Sequence, residues 1–291
     1  MTKLSQLTLL ALLCASAVPA LAQTPGLPTS QPSLVTIVRE EVKVGRAAEH
    51  GRIEAGWPAA YARANSPDYY LAMISVTGQS EAWYISPYAN HAAIGESMKR
   101  EAADPVLTAE LARLSRVDAE VLNATRTIHA MARPDLSMGA YPDLARQRFW
   151  EITTFRVRPG HEQEFDAAAK AYIAAAQRSA PATSFRTYEI IAGGLTPTYL
   201  IFGSITAFGQ FDDMLANGMK TMQGATAEER AALQKFSTDG MLNAETNRFR
   251  LDPQQSYVSR EVRATDPAFW GPAPRAAAVR PAPARPAVTQ P

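Results

Sequence analysis

The stretch Val42-Lys43-Val44-Gly45 decides the fold, because it recurs 115 residues later as Val157-Arg158-Pro159-Gly160. Further along the chain, Leu122-Asn123-Ala124 reappears unchanged as Leu242-Asn243-Ala244, at a spacing of 120 residues. The difference between the two spacings is the size of a loop insertion. The sequence therefore indicates one supersecondary unit that is present twice.

Each copy shows the same succession: an alternating strand, an amphipathic helix, two strands of a hairpin, a broken helical region and a closing strand. We expect Pro58 to kink the first helix. The first strand carries apolar residues on both faces, with Val35 and Ile37 on one and Val38 and Val42 on the other, as in a sheet covered on both sides. The order β-α-β-β-α-β predicts an α+β fold of two tandem ferredoxin-like units that form an intrachain pseudo-dimeric α/β barrel.

The chain accordingly divides into a signal peptide (1–22), a linker (23–33), ferredoxin-like repeat 1 (34–138), a linker (139–147), ferredoxin-like repeat 2 (148–257) and a disordered tail rich in Pro, Ala and Arg (258–291). A positively charged start, an apolar run and the cleavage motif Ala20-Leu21-Ala22 predict export to the periplasm or the exterior. The tail consists largely of proline, alanine and arginine and has few large apolar side chains to bury. We therefore predict that it does not fold.

Composition excludes several classes of function. The chain has 29 Lys and Arg against 28 Asp and Glu, and loss of Lys3 with the signal peptide makes them equal, so no nucleic-acid partner is predicted. The only cysteine, Cys14, lies in the predicted signal peptide, which excludes disulfides and thiolate chemistry from the mature chain. The apolar run is too short to predict a membrane span.

The repeated pattern resembles the dimeric α/β-barrel superfamily, which includes NIPSNAP-like and antibiotic biosynthesis monooxygenase-like proteins. The resemblance rests on the two glycine-ended stretches quoted above, and on the third strand leading through Ser86-Pro87-Tyr88, or through 204–208 in the second copy, into a helix. It implies a ligand cavity between helices and sheet. It leaves the activity open, because the superfamily includes cofactor-free oxygenases, haem-binding enzymes and isomerases.

Standard catalytic signatures are missing from the sequence, including the nucleophile elbow, the Walker loop and the H-E-x-x-H zinc motif. We therefore predict no cofactor and no metal, and leave open whether the protein is an enzyme. The adjacent carboxylates Glu40 and Glu41 point to opposite faces of a strand, so we expect no acid/base dyad there. We expect them to be solvated or capping charges.

Four aromatic residues of the first copy are candidates for lining a cavity that takes a small apolar or aromatic ligand: Trp57, Tyr61, Trp83 and Tyr88. The alternative is that they pack the core between helix and sheet, since apolar residues at helical spacing usually do so.

Three histidines of the first copy fall on phenylalanines of the second: His50 on Phe165, His91 on Phe211 and His129 on Phe249. A histidine in a core position needs partners for its nitrogens. We predict a polar pocket in the first copy, with these histidines as candidate catalytic residues, and a packed core in the second. Surface or singly satisfied histidines are one alternative. A three-histidine metal site is another and is less favoured, since no carboxylate is expected at ligand spacing and a metal-bound histidine needs an acceptor for its second nitrogen.

Three hypotheses for the function follow: a binding protein for a small apolar ligand, a cofactor-independent monooxygenase or isomerase, and a non-catalytic envelope interaction protein. A cavity between helices and sheet in one half favours the first two.

Overall fold

The computed structural model describes residues 26–271. The predicted signal peptide and the tail beyond residue 271 lie outside the described residues. Within this range, eight strands form one closed antiparallel barrel. In chain order they are β1 (Leu34–Val42), β2 (Leu71–Ser75), β3 (Glu81–Tyr88), β4 (Leu122–Ala132), β5 (Phe149–Val157), β6 (Arg186–Ala192), β7 (Thr198–Ile205) and β8 (Met241–Leu251).

The α-helices of the described range pack mainly on the outside of this barrel. In chain order they are α1 (Ala47–Glu54), α2 (Gly56–Arg63), α3 (His91–Ala103), α4 (Pro105–Asp118), α5 (Glu162–Ser179), α6 (Gln210–Gly224), α7 (Ala227–Lys235), α8 (Arg260–Thr265) and α9 (Pro267–Trp270). None of the helices between residues 26 and 271 is both long enough and apolar enough to cross a bilayer.

The helix ends follow from local chemistry. The kink expected at Pro58 appears as a break at Ala55, because the proline ring conflicts with the carbonyl four residues earlier. Asp104 caps α4 by accepting from the N–H groups of Val106 and Leu107, and Pro105 occupies the first helical position. Thr226 begins α7 with a reciprocal capping box.

The barrel consists of two sets of four strands, ordered β4-β1-β3-β2 and β8-β5-β7-β6. We call the chain up to β4 the first half and the chain from β5 to β8 the second half. The sets join edge to edge at two seams, where β2 pairs with β8 and β4 pairs with β6. The protein is thus an α+β fold with a closed eight-stranded barrel, compatible with the predicted dimeric α/β barrel.

Inward-facing side chains from both halves fill the barrel, among them Val35, Ile37, Trp83, Trp150, Ile152 and Phe249. Val38 packs on the opposite face with Tyr84. The two apolar faces predicted for the first strand are therefore both covered, one inside the barrel and the other by the cluster that includes Tyr84.

The chain just before residue 271 corrects the predicted domain bounds. Residues 258–271, assigned to the disordered tail, include α8 and α9, and Trp270 is only 2% exposed. Its indole Nε1 donates to the carbonyl of Ala145, in the segment 139–147 predicted as a linker, at 3.1 Å. Arg263 donates to the carbonyl of Trp270 at 2.6 Å. The prediction underestimated this segment because its apolar residues are few, although Val258, Val262 and Trp270 among them are buried.

Candidate functional sites: a buried polar cluster and an apolar cavity

A cluster of four ionisable side chains is buried between the sheet and the helices of the first half. His50 and Glu54 lie one turn apart on α1, Glu40 comes from β1, and Asp118 ends α4. His50, Glu54 and Asp118 are each 3% exposed and Glu40 is 7% exposed. His50 Nε2 lies 3.0 Å from Glu40 Oε2 and 3.8 Å from Asp118 Oδ1. We call these four residues the His50 cluster.

The electrostatics of the cluster follow from its burial. Burial raises the pKa of the Glu54 carboxyl well above its ordinary value of 4.5, and the nearby Glu40 and Asp118 carboxylates raise it further. Burial also raises the pKa of Asp118 to about 6, with Glu40 adding to this shift and His50 opposing it. Within the described residues, Glu54 Oε1 and Asp118 Oδ1 have no hydrogen-bond partner. The surrounding protein therefore supplies hydrogen-bond partners to only some of the oxygen atoms of these carboxyl groups.

The second half holds aromatic side chains at the same place. His50 and Phe165 are equivalent: their backbone N–H groups donate to Arg46 and His161, which are also 115 residues apart. At that spacing Glu40 corresponds to Phe155 and Glu54 to Ala169. The helix end that matches Asp118 continues as a π-helical turn, Phe236–Gly240. We call Phe155, Phe165, Tyr199 and Phe236, whose rings pack on one another, the Phe165 cluster.

The three candidate histidines do not share one site. The rings of His91 and His129 lie 6.0 Å apart, with His91 exposed. His129 pairs with Thr36 on β1, four residues from Glu40, which corresponds to roughly 13 Å along a strand. The structure thus brings His91 and His129 together and places His50 apart from both.

Two of the predicted histidine and phenylalanine matches are shifted by one residue. Leu122 pairs with Val42, while Met241 pairs with Val157, so β4 and β8 correspond at a spacing of 119. His129 therefore corresponds to Arg248. The same spacing relates the first residues of α3 and α6, so His91 corresponds to Gln210. A slip of one residue moves a strand side chain to the other face of the sheet.

The four candidate aromatic residues are not brought into one cavity. Trp83 lies inside the barrel, where its Nε1 donates to Glu81 Oε2 at 2.9 Å. Trp57 and Tyr61 lie among the helices, and Tyr61 stacks on Tyr257 with ring centroids 5.7 Å apart. The hydroxyl of Tyr88 donates to Ser97 at 3.3 Å. For Trp57, Tyr61 and Trp83, the alternative of core packing describes the structure.

A cavity of about 860 Å³ lies between helix and sheet in the second half, whereas the sequence predicted a cavity of this kind in the first half. It is bounded by the outer faces of β5 and β7 and by α5, α6 and α7. Its apolar lining includes Phe155, Phe165, Tyr172, Ile201, Met214 and Leu233. In the first half the corresponding space holds a tyrosine cluster formed by Tyr61, Tyr70, Tyr84 and Tyr257. The cavity is thus of the kind that the sequence predicted, in the other half.

Helix α6 gives this cavity a flexible wall. Met214, Gly218 and Met222 follow one another at intervals of one turn, and a second cavity of about 570 Å³ lies beside them. Leu215 and Met219, on the same helix, are 64% and 54% exposed. Methionine side chains adapt to irregular shapes, so this wall can follow ligands of different outline.

Polar side chains line the cavity beside the apolar ones, among them Glu151, Thr183 and Asn217. Glu151 pairs with Arg248 at 3.1 Å, and Thr183 Oγ1 is buried without a hydrogen-bond partner among the described residues. Burial raises the pKa of the Tyr172 phenol, which keeps it a neutral donor. An apolar cavity with a few convergent polar groups is the usual form of a small-molecule site.

Sequence reasoning missed the carboxylates of the His50 cluster. Glu40 was expected to be solvated and is buried. The spacing His50-x-x-x-Glu54 on a helix is itself a ligand spacing, since residues four apart share a face, and it was visible in the sequence. Asp118 had no such signal, because the fold brings it from the other end of the helical layer.

Comparisons with known proteins identify the fold. No family model matches the chain, and no curated protein matches it. A solved structure of a candidate monooxygenase from Fusobacterium nucleatum subsp. nucleatum superposes with a TM-score of 0.51 at 9% identity, covering 76% of this chain and 93% of that one. An anthrone oxidase-like protein superposes with a TM-score of 0.50 at 12% identity, covering 78% and 94%. At such identities the likeness shows the fold alone, and the closed eight-stranded barrel is compatible with a dimeric α/β barrel.

Proposed function

We propose that this protein binds a small apolar or aromatic molecule in the cavity between α5, α6, α7 and the outer face of β5 and β7. The observation that carries the proposal is the cavity itself. Its volume of about 860 Å³ lies within the usual range of about 300–1,000 Å³ for ligand pockets.

The lining favours a ligand with an apolar body that also carries hydrogen-bonding groups. Aromatic rings on one wall and Met214 on another offer contact to a flat hydrophobic molecule. Thr183 Oγ1 offers a hydrogen bond that no described residue uses. Since a buried polar atom without a partner costs free energy, a ligand group that bonds to it is favoured.

Two wider features belong to the same proposal. The chain is taken to be exported by cleavage after Ala22, so that the cavity serves in the periplasm or outside the cell. The barrel is taken to consist of two fused ferredoxin-like copies. The shared strand order of the two sets and the equivalence of His50 and Phe165 support the second point.

A cofactor-independent oxygenase is the alternative, and the fold shared with a candidate monooxygenase and an anthrone oxidase-like protein supports it. The two activities differ in a simple measurement. Oxygen consumption in the presence of electron-rich aromatic compounds would favour the oxygenase, whereas saturable binding without turnover favours the binding protein.

The test of binding uses Nile red, a neutral aromatic dye that fluoresces in apolar surroundings. A Cβ added to Gly218 would meet only the Tyr172 hydroxyl, 4.0 Å away, so Gly218→Leu fills the cavity without a clash at that atom. We expect saturable dye binding to the unchanged protein and binding weaker by at least about tenfold in Gly218→Leu, a change of about 1.4 kcal/mol.

Gly95→Leu on α3 is the matched control, because a Cβ at Gly95 meets no atom within 4 Å. Both substitutions replace a helical glycine and should favour the helix similarly. Equal dye binding by the two variants would show that the dye does not occupy the cavity, and the proposal would then fail.

A further inference from the structure

We propose that the His50 cluster is a binding site for one divalent transition-metal ion, held by His50, Glu40, Glu54 and Asp118. This inference concerns the first half of the chain and does not depend on the cavity of the second half.

The donor set has the geometry of a compact metal site. One ligand atom from each of the four residues lies within 4.8 Å of the other three. Ligand atoms bonded to one metal at about 2.1 Å lie roughly 3–4 Å from one another, so a small inward movement completes the site. His50 and Glu54 sit one helical turn apart on α1, and Glu40 on β1 faces them. Rigid elements thus supply these three ligands.

Unpartnered oxygen atoms point to a ligand within the cluster. Asp118 Oδ1 has no hydrogen-bond partner and lies 3.8 Å from His50 Nε2, on a side chain only 4% exposed. Glu54 Oε1 is also unpartnered, and Glu54 is 3% exposed. A metal ion between these atoms would satisfy both oxygens at once.

Ionisation of all the carboxyl groups of the cluster requires a cation beside them. Among residues 26–271, neither lysine nor arginine forms an ion pair with any of its three carboxylates. Three buried carboxylates beside one imidazole are costly without a counter-charge. A divalent ion supplies two positive charges at the centre of the cluster.

The second half shows that the fold does not require this cluster. Phe155, Phe165 and Ala169 stand at the positions of Glu40, His50 and Glu54, and a close-packed aromatic core results. The ionisable set is therefore a feature beyond what this arrangement of strand and helix needs in order to pack.

The ligand types select the class of metal. One imidazole nitrogen with carboxylate oxygens suits zinc, iron(II) or manganese(II). Calcium takes six to eight oxygen ligands in a more open site, and magnesium keeps several waters, so neither matches a four-residue buried site with a nitrogen donor.

The test is calorimetric titration of the untagged full chain, first stripped with EDTA, with Zn²⁺, Mn²⁺ and Ca²⁺ in separate experiments. We expect one equivalent of Zn²⁺ or Mn²⁺ to bind with micromolar or tighter affinity, and Ca²⁺ to bind at least about a hundredfold more weakly. Absence of stoichiometric binding of both transition metals would overturn the proposal.

Two variants locate the site. Glu54→Gln keeps the side-chain shape, and His50→Phe introduces the residue found at the equivalent position, Phe165. Each should weaken binding by more than the roughly 10- to 100-fold that loss of an outer-shell partner costs. If His50→Phe fails to fold, Glu54→Gln alone decides the matter, and unchanged affinity in that variant would contradict the assignment.

The double variant His91→Ala, His129→Ala is the matched control. These two histidines lie close to each other and away from the His50 cluster, and could themselves hold zinc. Binding should survive in the double variant. Loss of the tight equivalent there, with retention in Glu54→Gln, would place the metal at the histidine pair and refute the proposal.

Discussion

The two halves of the barrel place opposite chemistries at the same position. In the first half, His50 lies on α1 between buried carboxylates. In the second half, Phe165 lies at the matching position of α5, stacked on Tyr199 with ring centroids 3.9 Å apart. Both residues are 3% exposed. The same backbone thus accommodates either a charged or an aromatic interior.

This contrast separates the side chains that stabilise the fold from those that are better explained by a chemical role. Aromatic packing at this position gains apolar burial and ring contacts, which stabilise a fold directly. Burying ions costs desolvation that their mutual attraction often fails to recover. The His50 cluster is therefore better explained by a chemical role than by stability.

The two seams show a second inversion. Arg133 follows β4 and Asp252 follows β8, and their backbone N–H groups donate to the equivalent residues Thr187 and Ala72. Arg133 pairs with Asp135, Asp166 and Glu189, whereas Asp252 pairs with Arg250. A positive side chain organises one seam and a negative side chain organises the other.

The largest expected effect comes from making the second half resemble the first at one position, with Phe165→His. The new imidazole would lose the ring stack on Tyr199 and would face Phe155 where His50 faces Glu40. We expect the free energy of unfolding, measured by urea denaturation, to fall by about 3–5 kcal/mol. Phe165→Leu, the control, should cost less than about 2 kcal/mol. Equal losses in the two variants would show that the imidazole finds a partner there.

The reverse exchange tests whether the first half needs its ions. The fourfold variant Glu40→Phe, His50→Phe, Glu54→Ala, Asp118→Asn removes the buried charges together. In EDTA we expect the free energy of unfolding of the fourfold variant to exceed that of the unchanged protein by about 1–4 kcal/mol. His50→Phe alone should lower the free energy of unfolding by about 3 kcal/mol, because the neighbouring carboxylates stay buried. Destabilisation of the fourfold variant by more than the single one would mean that the cluster is part of the core.

A smaller effect is expected at the β4–β6 seam from Arg133→Met. The hydrogen bond from Arg133 lowers the pKa of Asp135 below its ordinary value of 3.8. This contribution is present above pH 3.8 and is lost as the pH falls through the lower pKa of the folded state.

Because these side chains are partly exposed, we expect Arg133→Met to lower the free energy of unfolding at pH 7 by only about 1 kcal/mol. The difference from the unchanged protein should shrink by pH 3, as urea denaturation at the two pH values would show. Arg146→Met, which removes a well-exposed pair with Asp143, should have no measurable effect. A deficit that stays the same at pH 3 would exclude the carboxylates as its source.

The smallest effect is expected from ending the chain after Gly271. This change removes residues 272–291, which have no counterpart in either half. The twenty residues removed contain six prolines, three arginines and no acid. Such a segment offers little apolar area to offset the entropy of ordering. The melting temperature should stay within about 2 °C, whereas Trp270→Ala should lower it several times more. A larger drop on truncation would show that the segment packs on the barrel.

Local signals predicted much of the fold. Alternation of apolar residues located the strands, and Pro58 indicated the break that the structure has in the first helical region. These signals depend on residues close together in the chain, so they can be recognised from the sequence alone. The burial of Trp270 was missed because the acceptor of its indole N–H, the carbonyl of Ala145, is 125 residues away in the chain.

Register was harder to predict than element type. The sequence suggested one insertion of five residues, whereas the structure has two extra residues between β6 and β7 and two more before α6. As a result Phe249 lies inside the barrel while His129 does not. Strand pairing determines such a shift in register, and residue identities between the two copies do not reveal it.

The position of the cavity could not be derived from either copy alone. The tyrosine cluster of the first half includes Tyr257, which follows β8 and stacks on Tyr61. Its hydroxyl donates to the carbonyl of Ser66 at 2.8 Å. A residue that follows the second half thus helps to fill the first, and only the three-dimensional arrangement shows it.

Closure of the barrel within one chain has a consequence for how the protein can change. Either half alone would leave two strand edges unpaired, and such edges recruit another copy. In a symmetric dimer of identical halves every substitution is made twice, once on each side of the axis. Here the seam between β2 and β8 joins residues as far apart in the chain as Met73 and Leu251, so one polypeptide supplies both sides. A single mutation then alters one half only, and covalent continuity leaves each half free to vary independently of the other.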